Sequence, residues 1–151
     1  MKKLVLLLII PFLIGCSQDN QYKGKKIELQ YVEEGSLVVV DAKHMFDEAF
    51  TNKNDSIYYI GDDTCKACQS LKAQLTFWCK EKHANVYEIK YTKVDSEALK
   101  YLIDATVGYY GWTENSAVPA TYFFMQGSVV FKGDDQNTVQ YLNKYVEIIN
   151  S

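Results

Sequence analysis

Two cysteines separated by two residues, Cys65-Lys66-Ala67-Cys68, are the part of this sequence best equipped for chemistry. Thiols at that spacing can cycle between dithiol and disulfide. If they open a helix, the first sulfur meets unpaired backbone N–H groups and the positive end of the helix dipole, both of which favour the attacking thiolate. Cys65 is therefore expected to attack, and Cys68, one turn deeper, to resolve the mixed disulfide. Residues three apart on a helix share a face, so the pair can bond with little backbone movement. Two other chemistries compete for the same residues. The run Cys65-x2-Cys68-x10-Cys79-x3-His83 has the donor set of a zinc site. One continuous helix would part Cys68 from Cys79 by roughly 16 Å, too far for a single ion, so no metal or other cofactor is expected. A hydrolase of the Cys-His type is disfavoured because a second thiol three residues away would trap its nucleophile in an oxidising compartment. Neither His44 nor His83 has an evident catalytic partner.

The elements that must position the pair follow from periodicity. Ser56 to Gly61 is apolar throughout, as in a central strand buried on both faces, and Asp62-Asp63-Thr64 supplies turn and capping chemistry before Cys65. From Cys65 to about His83, Cys68, Leu71, Leu75, Trp78 and Cys79 recur at helical steps, which makes Cys79 a buried core thiol. Leu37 to Val40 reads as a strand, Asp41 as an N-cap, and His44 to Asn52 as a helix. Val86 to Tyr91 is strand-like, and Asp95 or Ser96 caps a helix through about Val107. Ala120 to Met125 and Ser128 to Lys132 flank the hairpin signal Gln126-Gly127, and Thr138 to Ile149 has helical spacing. Ile27, Leu29, Tyr31 and Val32 hint at a short extra strand. The expected class is α/β: a single domain with a central mixed sheet, parallel first and ending in a hairpin, flanked by helices. The connection from Gly108 to Ser116 is rich in aromatic residues. It suits either the border of a substrate groove or a packed cover over the sheet edge.

Net charge is −3, and all 16 basic residues are lysine. Bidentate recognition of phosphate by arginine is thus absent, and nothing points to nucleic acid. The first residues pair Lys2 and Lys3 with an apolar run from Leu4 to Ile14, too short to span a bilayer. With the closing Leu13-Ile14-Gly15-Cys16, this segment resembles a bacterial lipoprotein signal. That resemblance implies cleavage before Cys16, a lipid on its thiol, and a protein held on the outer face of the cell membrane. The expected division is a signal peptide over 1–15, a lipidated tether with a possible strand over 16–36, and the folded domain over 37–151. Three cysteines then remain, one pair and one left over.

A CxxC that follows a buried strand and opens a helix resembles the active site of the thioredoxin superfamily, and the likeness runs from about Leu37 to the C-terminus. It includes Val118-Pro119 before the strand at Ala120. In that family the proline is cis and the residue before it aligns an extended substrate segment. The resemblance implies the thioredoxin fold and a thiol–disulfide oxidoreductase in which Cys65 and Cys68 react and Val118 and Pro119 bind substrate. It needs no cofactor and is expected to work as a monomer. Its clients would be exported proteins or peptides with cysteines, with a membrane redox partner to renew the pair. Among such proteins the chain is similar to thioredoxin-like lipoproteins of the bacteriocin transport accessory group. The rival reading is a binding or accessory module in which Cys65-Cys68 is a permanent staple. Several positions depart from thioredoxin: Thr64 replaces a tryptophan, Lys66-Ala67 replaces Gly-Pro, and Tyr59 stands where a buried aspartate helps move protons. Lys90 falls where thioredoxin has a lysine, and strand alternation is expected to leave it solvated. Asp62 and Asp63 oppose a nearby anion while Lys66 favours one, so the direction of electron flow stays open.

Overall fold

The computed structural model describes residue 27 and residues 29–150, the side chains of 146–150 excepted. The signal segment, Cys16 and most of the tether lie outside the described residues. Five strands, β1 (Leu37–Val40), β2 (Ser56–Gly61), β3 (Val86–Lys90), β4 (Ala120–Met125) and β5 (Ser128–Gly133), form one sheet in the order β1-β3-β2-β4-β5. β3 runs parallel to both β1 and β2, whereas β4 is antiparallel to β2 and β5. This is the mixed sheet of a thioredoxin fold, as the alternation of elements implies.

Among the described residues four longer helical segments cover it, with a single 3-10 turn, Tyr91–Lys93, following β3. In α1 the first turn, Ala42–His44, is α-helical and the remainder, Met45–Thr51, is wound as a π-helix. The others are α2 (Lys66–Lys82), α3 (Ser96–Ala105) and α4 (Thr138–Asn150). Every residue of β2 is buried, and its alternation divides it between two cores. Ile57 and Tyr59 join Leu71, Leu75, Trp78, Phe123 and Tyr145 on the face covered by α2 and α4. Tyr58 and Ile60 join Met45, Leu102, Trp112 and Phe124 on the face covered by α1 and α3. A strand that must be apolar on both sides is what a run without alternation encodes.

Local chemistry sets the boundaries. Asp41 accepts from the His44 N–H at 2.8 Å, closing the first turn, so α1 starts two residues earlier than the apolar pattern implies. The Asp95 carboxylate accepts from Glu97 and Ala98 N–H, which makes Asp95 the cap of α3. That helix stops before Val107, where Thr106 folds its hydroxyl back onto the Leu102 carbonyl at 2.7 Å. At the end of α2, His83 takes the left-handed conformation (φ 52°) that terminates helices. Gln126 and Gly127 both have positive φ, 52° and 85°, which matches a two-residue hairpin loop of type I′. The short extra strand is reduced to one antiparallel bridge, Tyr31 to Ala84. Tyr31 is spent instead on stacking against His83 at 5.4 Å, and Ile27 on the core beneath α2.

Candidate active site

The chain leaves the sheet at Gly61 and must turn at once into α2. Asp62 makes the turn: its carboxylate accepts from the N–H and the hydroxyl of Thr64 at 2.8 and 2.9 Å, and its carbonyl accepts from Cys65 N–H. Cys65 is then the N-cap of α2, half-exposed, with extended backbone. Its sulfur accepts the N–H of Cys68 at 3.2 Å, the bond that a capping side chain makes to the first turn. The helix thereby points a donor at the atom where negative charge must sit when Cys65 attacks.

Cys68 lies one turn in and is buried. Burial first, and the hydrogen bond to Cys65 second, push its thiol up to about 11. At neutral pH it is overwhelmingly protonated. The structure thus separates an accessible sulfur from a sheltered one within bonding reach. Lys66 is the exposed first residue of α2 and Ala67 is half-buried behind it, so neither crowds Cys65. Cys79 is a free, fully buried thiol raised to about 11 by burial. Among the described residues no three His, Cys, Asp or Glu side chains are grouped as a metal site requires.

Val118-Pro119 is a cis peptide. Because β4 runs antiparallel to β2 with Ala120 opposite Ile60, this bond falls beside the end of β2 from which the chain reaches Cys65. Pro119 is buried. Val118 is half-buried and packs, like Cys65, at the margin of the α2-side core. The CxxC segment and Val118-Pro119 thus fall at the same end of the sheet.

The aromatic connection divides into a packed residue and an exposed one. Trp112 is buried against Tyr91 and Tyr122, and its backbone N–H donates to Thr106 Oγ1 at 2.7 Å, anchoring the loop to the end of α3. Tyr109 is 89 % exposed and leans edge-on against Tyr110.

Sequence reasoning missed the charges beneath the site. Glu88 on β3 is only 2 % exposed, yet it accepts ion pairs from Lys72 of α2 at 2.8 Å and from Lys90 at 3.1 Å. Lys90 also grips both oxygens of Asp63, at 2.6 and 2.7 Å. The expectation that Lys90 is solvated is therefore corrected: it bridges a surface carboxylate to a buried one. Those contacts, the Asp63 bond foremost, raise Lys90 above its ordinary value and hold Asp63 below its own. The available signal was Glu88-x-Lys90 in a strand flanked on both sides, where same-face charges must go under a helix.

Tyr59 stands opposite Glu88 in the β2–β3 register and on the same face. Its hydroxyl donates to the Cys68 carbonyl at 3.0 Å. A Cβ on Gly61 would fall on that hydroxyl, so glycine two residues along the strand is what lets the ring lean toward the active site.

The sequence matches no protein-family model and no curated protein. Solved structures do match its fold. Thioredoxin O1 of Arabidopsis thaliana, in its oxidised state, superposes with a TM-score of 0.56 at 16% identity, covering 74% of this chain and 96% of its own. Thioredoxin O2 of the same plant gives 0.53 at 16%, over 78% and 97%. Thioredoxin f of spinach chloroplast, in its short form, gives 0.56 at 11%, over 79% and 98%.

Proposed function

We propose that this chain is a thiol–disulfide oxidoreductase acting on exported proteins or peptides, and that a lipid on Cys16 holds it to the outer face of the cell membrane. The observation that carries the activity is the Cys68 N–H aimed at the Cys65 sulfur, with the second thiol buried behind it. In the reducing direction, the Cys65 thiolate attacks a client disulfide. One client sulfur leaves with the electron pair and takes a proton, while Cys65 forms a mixed disulfide. Cys68 loses its proton and attacks Cys65 Sγ. The Cys65–Cys68 bond forms, the client leaves as a second thiol, and the enzyme is left oxidised by two electrons. In the oxidising direction every step reverses. Val118 would present backbone to an extended client segment beside Cys65. The anchor rests on the Leu13-Ile14-Gly15-Cys16 segment and its short apolar run. Among the described residues no helix is long and apolar enough to cross a membrane. Disulfide-bearing exported peptides, as in bacteriocin export, are the clients that the lipoprotein resemblance favours.

Insulin reduction and oxidative refolding of a scrambled client test the activity. Cys65→Ser is expected to abolish both, and Cys68→Ser to accumulate the mixed disulfide. Exchange retained in Cys65→Ser overturns the mechanism. A wild-type protein inactive in both assays makes the pair a staple. The reduction potential sets the direction: about −270 mV marks a reductase and about −120 mV an oxidant.

A further inference from the structure

The demanding step of the proposed reaction is the ionisation of Cys68. Cys68 must give up a proton inside the core, yet its thiol is held near 11. Part of that elevation comes from Cys65 and vanishes once Cys65 is in a mixed disulfide, but burial, the first cause, remains. A thiolate formed there has left water behind, and an unmet buried charge is costly. Hydrogen bonds must replace the lost water, and the two groups that work against burial at Cys68 are the Asp62 backbone and the Tyr59 hydroxyl.

The titratable groups that face Cys68 are few. Cys65 and Lys72 share its helix, Tyr59 comes from β2, Glu88 and Lys90 come from β3, and Asp62 and Asp63 form the turn above. Lys72 and Lys90 already hold Glu88, and Lys90 holds Asp63 as well. Tyr59 is different. Its hydroxyl is beside Cys68, sits on a group that rotates about a single bond, and is spent in this dithiol structure on the Cys68 carbonyl at 3.0 Å. That carbonyl belongs to the interior of α2 and has its own partner there, since the helix continues unbroken to Lys82. It can release the hydroxyl at small cost.

Resting on the exchange activity proposed above, we infer that Tyr59 is the positioning residue for resolution: its hydroxyl turns from the carbonyl to the sulfur of Cys68 as the thiolate forms. Tyr59 keeps its proton throughout. The Cys68 proton goes to solvent or to the departing client thiolate, and the phenol contributes a hydrogen bond to the charge left behind. Burial raises the phenol far above its ordinary value, so it remains a donor at every pH where the protein works. Two neighbours fix the ring. Gly61 leaves the space that the hydroxyl fills, and the Glu88 ion cluster packs beside it on the same face of the sheet.

The test follows the two phases of thionitrobenzoate release when the reduced protein meets the aromatic disulfide dithiobis-nitrobenzoate. The first phase reads attack by Cys65 and the second reads resolution by Cys68. In Tyr59→Phe the second phase is expected to slow about ten- to a hundred-fold at pH 7, the loss of one hydrogen bond to a charged group, and its pH profile to move upward by one to two units. The first phase should stay within about twofold. Ultraviolet titration of Cys68 in a Cys65→Ser background, with and without Tyr59→Phe, should show the same upward move. Gly61→Ala, which displaces the hydroxyl without deleting it, should act in the same direction. An unaltered second phase and profile in a folded Tyr59→Phe overturn the inference and leave the exchange activity standing. A wild-type protein that releases no thionitrobenzoate overturns both.

Discussion

Glu88 is the residue whose surroundings explain most about the stability of the site. A carboxylate this deep needs a cation beside it, and two lysines meet it where one would meet that need. Lys72 and Lys90 therefore act as alternates. Either one removed singly by alanine leaves the other in place, and a loss of about 1 kcal/mol is expected. Both removed together strand the charge, with a cost of about 3–5 kcal/mol that exceeds the sum of the singles. Urea denaturation of the four members of that double-mutant cycle measures it, and strict additivity would show that the lysines act independently. The placement of Cys65 and Cys68 at a helix start and the cis bond of Val118-Pro119 were legible in the sequence because a short motif and one proline carry them. Glu88 and Lys72 were not, and Tyr59 was marked by its position but not by its bond to the Cys68 carbonyl. Their role depends on which strands are neighbours, and a charge in a strand reads as surface until β3 is known to lie between β1 and β2.

Elements were legible where periodicity and punctuation agree. β2, β4 and the start of α4 fall where the sequence places them, because unbroken apolar runs and the Gln126-Gly127 turn leave little choice. Boundaries moved where a polar side chain decided them. Asp41 pulled α1 forward, and Thr106 stopped α3 early. The π-wound part of α1 had no signature in the sequence, since its apolar residues also suit an ordinary helix. Asp95 offers the cleanest test of this punctuation. It is exposed and accepts two backbone N–H groups at the start of α3. Asp95→Ala is expected to cost about 1 kcal/mol, and Asp95→Ser or Asp95→Asn only a fraction of that, as read from thermal or urea unfolding. Equal losses in all three would show that the acid works by charge rather than as a cap.

At the scale of the whole molecule, the sheet is lined with phenols that burial keeps neutral. Tyr58, Tyr59, Tyr87, Tyr122 and Tyr145 are all raised above the ordinary value of 10.0, in each case chiefly by burial. The folded state therefore holds these protons more tightly than the unfolded state. The resulting stability is complete below about pH 10 and is lost as pH rises toward the folded-state values. Alkaline unfolding is expected to begin above pH 10 and to be steep, with most tyrosinate absorbance arriving together with loss of circular dichroism. Ionisation of these five phenols in a protein that keeps its fold would contradict the burial described here.

The division of β2 between two cores has a spectroscopic consequence. The chain has two tryptophans, and they lie on opposite sides of the sheet: Trp78 on the buried face of α2 and Trp112 in the core covered by α1 and α3. Each indole is thus a private reporter of one layer. Tyr59 and Tyr58, adjacent in the strand, couple those layers through the backbone, so the two emission signals from single-tryptophan variants register whether the active-site half can loosen while the other half stays packed.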